Sequence, residues 1–369
     1  MRLAGYAVGT FQGDIVNHLD QYKGKKVFVT GGAGAIGSNL VRALSPICDR
    51  VIVLDNLVAS ARWNIPSLPN VMFVEGDILD EVKLKRCFFE KPDIVFHLAA
   101  FFANQNSVDH PENDLMVNGM GTLKLMEYAV LQGLERFVYA SSGCSIYGHA
   151  APLPLKEEFM SMHLTTPYQI TKMLGELYGN FFHHHYGLPV VKARFFNSYG
   201  PGEIPGQYRN VIPNFTYWAM KGLPLPITGS GEETRDFTYV GDIVDGLLRL
   251  GVNPAAIGQE YNLASGREVT IKDLANMINE ATGNTAGIKW AEVRKWDTKK
   301  RLRACVDKAR DAVGYDPDTD FAWGLHQQIE WMRANWDHIE AYNGFGPGAS
   351  SAVRDMTVVD ESKNELKVS

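Results

Sequence analysis

The chain has 369 residues, enough for one large or two ordinary domains, and its 45% hydrophobic and 21% charged content suits a globular protein with a sizeable core. A net charge of -6 with no basic block argues against a dedicated nucleic-acid binder, which needs a positive face. No apolar run approaches the roughly 18–20 residues of a bilayer span, and four scattered cysteines without a CxxC pair argue against a disulfide framework or zinc site and fit a reducing cytoplasm.

Residues 1–22, interrupted by Gln12, Asp14 and Asn17, make a poor secretory signal and are expected to form an accessory arm. Short apolar runs then alternate with helix-length stretches. The runs are "KVFVT" (26–30), "VIVLD" (51–55), "VMFVEGD" (71–77), "DIVFHLAA" (93–100), "RFVYASS" (136–142) and "PVVKARFF" (189–196). Buried parallel strands read as near-continuous Val/Ile runs, so the alternation predicts βαβ units: an α/β, Rossmann-like, doubly wound parallel sheet over 23–197.

After the first run comes "TGGAGAIG", with Gly31, Gly34 and Gly37 at a strand-to-helix junction. Glycine permits a positive φ and lets an anion reach the backbone, and the helix from about Ala35 aims its first N–H groups there. On the triplet alone a plain turn is an equal reading. Asp55 ends the second run 24 residues after Gly31, where a carboxylate would accept from an adenosine ribose and repel a 2′-phosphate. The pair predicts NAD rather than NADP. Asp77 ends the third run, at the sheet edge where ligands bind.

Further along, "PYQITK" sets Tyr168 and Lys172 four apart on one helix face. A free phenol has a pKa of about 10, and lowering it to about 7 takes roughly 4 kcal/mol, which an adjacent ammonium and a positive nicotinamide could supply. Taken alone, such a pair is ordinary surface packing; after a dinucleotide fingerprint and the serine-rich "ASSGCSIYG" it becomes a proton-transfer site. His183–His185 are consecutive, about 100° apart on a helix, and no metal is expected there. Beyond 197 the texture turns Gly/Pro-rich. A smaller C-terminal substrate lobe is expected over 198–340, and a flexible tail over 341–369.

Taken together, "TGGAGAIG", "LDNL", "GDILD", "HLAA", "SSGCSIYG", "PYQITK", "RFFNSYGP" and "TRDFTYVGDIVDG" resemble the extended short-chain dehydrogenase/reductase family, in its nucleotide-sugar branch. The resemblance spans about Lys26 to Trp331. It implies that Gly31, Gly34, Ala35, Ile36 and Gly37 hold the NAD pyrophosphate, Asp55 and Asn56 the adenosine ribose, and Asp77 and Ile78 the adenine. Leu98, Ala99 and Ala100 would line the cofactor groove, and Lys172 would also hold the nicotinamide ribose. Asn197, Asn210 and Arg235 would bind the sugar's diphosphate, with Arg294 or Arg301 as a second arginine, while Asn104 and Ser107 would touch the sugar. Arginine's planar fork matches phosphate oxygens.

The branch places a Ser or Thr four residues before the Tyr of its "YG"; here that position is Gly143, and Ser142 is the expected substitute, with Ser145 as the other nearby hydroxyl. Branch dehydratases carry Asp-Glu, and decarboxylases a Glu, where this chain has Cys144 and Ser145; decarboxylases also carry Arg where Gly202 stands. The resemblance therefore implies a nucleotide-sugar 4-epimerase acting on a UDP-sugar through a 4-keto intermediate, with 4,6-dehydratase, decarboxylase and reductase as alternatives. A catalytically silent NAD-binding scaffold is the alternative of another class. Related chains pair helices like those at 115–131 and 168–182, so a homodimer is expected, with neither nucleic acid nor membrane as a partner.

Overall fold

The computed structural model describes residues 18–293 and 299–342. Its first half runs β1 (Lys26–Thr30), α1 (Ala35–Leu44), β2 (Arg50–Asp55), β3 (Val71–Glu75), α2 (Glu81–Phe89), β4 (Ile94–His97), α3 (Thr122–Gln132), β5 (Arg136–Ser142), α4 (Pro167–Tyr186) and β6 (Val190–Phe195). The strands fall on the six apolar runs to within a few residues at their ends. The second half supplies α5 (Val211–Met220), β7 (Leu225–Thr228), α6 (Val240–Val252), β8 (Glu260–Leu263), α7 (Ile271–Thr282), β9 (Ile288–Ala291), α8 (Asp307–Val313) and α9 (Phe321–Ala334).

Seven strands form one parallel sheet in the order β8-β6-β5-β4-β1-β2-β3. The chain leaves β1 toward β2 and β3, then returns to the other side of β1 with β4. That reversal opens a crevice beyond the carboxyl ends of β1 and β4, where ligands bind in doubly wound sheets. Apolar clusters fill both faces: Val27, Leu40, Val53, Phe96 and Leu247 on one, Phe28, Ile52, Leu125 and Phe137 on the other.

The division at residue 197 is not respected by the sheet. Helix α6 packs against α1 and β5, and β8 pairs with β6 through Glu260↔Lys192, so residues 240–263 belong to the first layer. A four-residue strand with Asn262 at its centre carries little strand signal, although Asn262 is fully buried and fixed by Leu155 and Cys305 carbonyls. The remaining lobe centres on α5, β7, α7 and α9 around the buried Trp218, Phe237 and Ile329. Of the expected N-terminal arm, His18–Tyr22 form a short turn whose Tyr22 hydroxyl donates to Leu248 O at 2.8 Å.

Helix α4 carries the Tyr/Lys pair. Pro167 opens it, the Thr166 hydroxyl caps Gln169 N–H, and Gly187 ends it in the left-handed conformation. A buried fork anchors it to the sheet: Arg194 on β6 donates to Glu176 through Nε at 2.9 Å and Nη2 at 2.7 Å. Arg194 also reaches Tyr147 Oη and Glu157 O, and Ser141 Oγ donates to Glu176, so the charges are enclosed by partners.

Candidate active site

One continuous cavity runs from the glycine turn, past the ends of β4 and β5, into the second lobe. The glycines have different reasons for being glycine. Gly31 has φ +69°, and a Cβ there would lie 2.7 Å from Ala99 N. A Cβ on Gly37 would lie 2.2 Å from Gly31 O. Both therefore close the turn against neighbouring backbone. All three line the cavity, and Gly34 is the least crowded: a Cβ there would meet only Gly31 O, at 3.3 Å. The first turn of α1 begins directly after it, so a pyrophosphate would meet bare N–H groups and the positive helix end.

Asp55 holds this turn in shape. Its Oδ2 accepts from Ala33 N–H at 2.9 Å, and its Oδ1 from Leu57 N–H at 2.9 Å and Ser60 Oγ at 2.8 Å. A carboxylate offers about four acceptor sites, so room is left for a ribose hydroxyl. Beside it, Asn56 Nδ2 donates to Asp77 Oδ2 at 2.8 Å. Ile36, Ile78 and Leu98–Ala100 complete the walls. An open cradle at a helix start, with the Asp55 carboxylate lining the same cavity, fits a dinucleotide.

At the end of β5 the proton-transfer groups converge. The Tyr168 phenol and the Ser142 hydroxyl line the same stretch of the cavity, and Ser142 Oγ donates to Ser145 Oγ at 3.0 Å. Gly143 has no space for a side chain: a Cβ would fall 1.9 Å from a carbon of the buried Phe196 ring. The hydroxyl expected at that position has no space there, and Ser142 and Ser145 line the cavity on either side of it. Phe102 meets Tyr168 edge-on, 6.0 Å between centroids.

Lys172 lies one turn along the same helix. Its Nζ donates to Ala140 O at 2.9 Å and lies 5.7 Å from the Tyr168 ring centroid. Burial raises the phenol's pKa, Asp114 and Cys144 raise it further, and only Ser142 counteracts this. Burial also brings Lys172 down to about 8, against an upward pull from Asp114. Beneath the site, His97 bridges Thr30 Oγ1 and Thr122 Oγ1, and burial with Lys172 nearby lowers it to about 3, so it is a neutral structural group.

The other expected residues divide. Asn104, Asn197, Asn210 and Arg235 line the cavity. Ser107 does not: it is fully buried, and its Oγ accepts Tyr168 N–H at 3.0 Å, which makes it a support for the helix start. Arg301 also lies off the cavity, exposed, with Nε 3.0 Å from Glu268 Oε1. Arg294 falls outside the described residues. Among those residues no cluster suits a metal ion, and no helix is long and apolar enough to cross a membrane.

Three groups escaped the sequence reading. Asn118 sits in a π-helical turn (Leu115–Gly121) that alters the helix register; it accepts Phe101 N–H at 2.8 Å and donates to Phe101 O at 3.1 Å, fixing the loop before Asn104. Glu203 lines the lobe, bonded to Asn210 Nδ2 at 3.1 Å and brought by burial to about 7. Lys299 reaches Cys144 O at 2.6 Å. The Asp114–Asn118 spacing was a visible signal for the first; nothing local marks the other two.

The family described as NAD-dependent epimerase/dehydratase matches residues 27–264. The UDP-glucose 4-epimerase of Mycolicibacterium smegmatis is 34% identical over 311 residues, covering 84% of this chain and 98% of that protein. The dTDP-glucose 4,6-dehydratase of Streptomyces antibioticus is 32% identical, covering 85% and 95%. Among solved structures, epimerase Mth375 of Methanothermobacter thermautotrophicus is 55% identical with TM-score 0.87, covering 88% of this chain and 97% of that one. The Bordetella bronchiseptica enzyme WbmF in complex with NAD+ is 38% identical with TM-score 0.76, covering 87% and 96%.

Proposed function

The chain belongs to the NAD-dependent epimerase/dehydratase family, and we propose that within it the protein is a nucleotide-sugar 4-epimerase, taking a UDP-sugar and inverting C4 through a transient 4-keto sugar. One observation carries the reading: the cavity wall beside Tyr168 presents the Ser142 hydroxyl and no carboxyl, while the nearby Asp114 carboxylate lies off the cavity, bonded to Thr171 and Asn118. The next two positions of that wall are Cys144, whose thiol burial pushes up to about 11, and Ser145. Neither protonates a leaving hydroxyl or accepts a proton from carbon near neutral pH, so elimination and decarboxylation lack their helper group. Gly202, with φ +100° and its would-be Cβ 2.9 Å from Ser38 Oγ, leaves little space for the decarboxylases' arginine.

NAD, when bound, supplies the hydride acceptor and donor. Gly34 and the α1 terminus would hold its pyrophosphate, and Asp55 its adenosine ribose. The chain's own work is proton transfer. Tyr168 Oη takes the proton of the 4-hydroxyl as C4 becomes a ketone, and returns it once the sugar has presented its other face. Ser142 donates to the sugar oxygen and keeps the phenol in place. Because burial disfavours phenolate, Tyr168 depends on nearby positive charge, and Lys172 is the cation the chain supplies. Asn197, Asn210 and Arg235 would take the diphosphate.

The same reading includes a homodimer. Leu115, Met116 and Met120 lie exposed on the helical run before α3, and Ile170, Leu177 and Phe181 on the packed neighbour α4, an apolar face suited to a second copy. The test of function is product configuration by NMR after incubating the NAD-loaded enzyme with UDP-glucose, UDP-N-acetylglucosamine, UDP-glucuronate and dTDP-glucose. A C4 epimer without net NADH is expected. Exclusive release of 4-keto-6-deoxy sugar or CO₂ overturns the reading, and an enzyme that binds NAD but is inert to the panel favours the silent scaffold.

A further inference from the structure

Residues 200–210, between β6 and α5, cross the cavity as a strap fastened at both ends. At the cofactor end, Asn39 Nδ2 donates to Pro201 O at 2.7 Å and Asn64 Nδ2 to Gly202 O at 2.8 Å, and both acceptors belong to buried residues. A Cβ on Gly202 would lie 3.2 Å from Ala35 O, so the strap rests on the first turn of α1, at the pyrophosphate cradle. Midway, Gly206 N–H donates to Asn214 Oδ1 and Asn214 Nδ2 donates back to Gly206 O, each at 3.0 Å, which pins the strap to α5. At the far end Tyr208 Oη donates to Asp109 Oδ2 at 2.9 Å.

The two ends cover different halves of the cavity. Asp109 ends the short helix Asn104–Asp109, whose Asn104 and Gln105 line the sugar half, and its Oδ1 accepts from Gln105 Nε2 at 2.9 Å. That helix also holds Tyr168 N–H through Ser107. The Tyr208 contact therefore ties the sugar side of the sheet layer to the second lobe. The ends differ in burial as well. Asn64 is fully buried, and parting it from Gly202 would strand a buried donor. Tyr208 and Asp109 are half-buried, within reach of water, so parting them costs less. An epimerase needs this asymmetry, because the cofactor stays while each sugar enters and leaves. A 4-keto sugar that escapes also removes the carbon to which the hydride must return: the hydride stays on the nicotinamide, the proton on Tyr168, and the site is left reduced.

We infer that the Tyr208–Asp109 contact is the latch of the sugar half: it opens to admit and release the nucleotide sugar and, closed, retains the keto sugar, while the Asn39 and Asn64 contacts keep the cofactor half shut. The inference rests on the epimerase reading and adds two positioning residues to the same site.

Tyr208→Phe removes the donor and keeps the ring. In the NAD-loaded full-length enzyme, UDP-glucose binding is followed by stopped-flow tryptophan fluorescence, Trp218 lining the cavity. With a charge-assisted hydrogen bond lost from the closed state, entry and exit should both quicken about tenfold and the dissociation constant move by less than about threefold. Bound NAD after gel filtration should match wild type. During turnover, absorbance at the NADH band should climb in the variant as keto sugar escapes, and stay flat in wild type. Faster exit with unchanged entry would make Tyr208 an ordinary sugar ligand and overturn the inference, as would loss of NAD in step with the sugar. Hydrogen exchange of the NAD-loaded protein needs no sugar: in Tyr208→Phe the amides of 207–210 should exchange about tenfold faster while those of 202–204 keep the wild-type rate. Identical exchange in the two proteins overturns the latch. If wild type inverts no sugar, the epimerase reading fails, and the exchange pattern still decides the latch.

Discussion

Gly143→Ala tests the claim that Phe196 leaves no space for a side chain at residue 143. The added methyl would fall 1.9 Å from one ring carbon of Phe196 and 2.4 Å from the next. The ring is fully buried and tilted against Tyr147, 6.3 Å between centroids, so it has no solvent to swing into. Forcing a methylene into a packed core costs about 1–3 kcal/mol, and the depth of this overlap puts the substitution at the upper end. At roughly 2 °C per kcal/mol for a chain of this size, the midpoint should fall about 5 °C. Differential scanning fluorimetry of the NAD-loaded protein reads it. The Gly143→Ala/Phe196→Leu double variant should be less destabilised than the sum of the two single changes, because the smaller side chain yields the space. A Gly143→Ala protein that melts with wild type, or a strictly additive double variant, would refute the reasoning.

Gly34→Leu should fold with nearly wild-type stability yet purify without NAD by absorbance, since its Cβ points into the cradle; a variant retaining the cofactor would move the pyrophosphate elsewhere. Glu176→Ala leaves the Arg194 guanidinium buried without its anion, a loss of about 3–5 kcal/mol. Chemical denaturation showing less than about 1 kcal/mol would mean that the fork is not what anchors α4. His97 is held near 3 by burial against about 6.5 in the unfolded chain. The unfolded state therefore takes up a proton first, and stability is lost as pH falls below about 6.5, by about 2 kcal/mol at pH 5. Comparing wild type with His97→Asn from pH 7 to 5 isolates this slope from Glu203, which binds a proton in the folded state near pH 7 and works in the opposite direction. Parallel pH profiles for the two proteins would contradict it.

The sheet and the cofactor cradle were legible because their signals are local. Val/Ile runs mark strands buried on both faces, and glycine spacing with a following acid marks the dinucleotide turn. What failed to show depends on partners far along the chain. Ser107 reads like any polar loop residue until α4 folds over it and takes its hydroxyl as a cap. Arg301 looks like a phosphate ligand until Glu268 meets it across the lobe. The vacancy at Gly143 has its cause 53 residues later, in Phe196. Lys172 was correctly placed on the helix face, but its ammonium turned toward the Ala140 carbonyl, a backbone group that no side-chain spacing reveals.

The account stands on Tyr168 as the group that exchanges the sugar's proton. The direct measurement is single-turnover oxidation of a UDP-sugar, followed as absorbance at the NADH band, in wild type and in Tyr168→Phe at equal NAD occupancy. Loss of a general base is worth about 10²–10⁴ in rate, so the variant should be slower by at least about a hundredfold while binding UDP normally. A Tyr168→Phe enzyme that oxidises the sugar at the wild-type rate would contradict it.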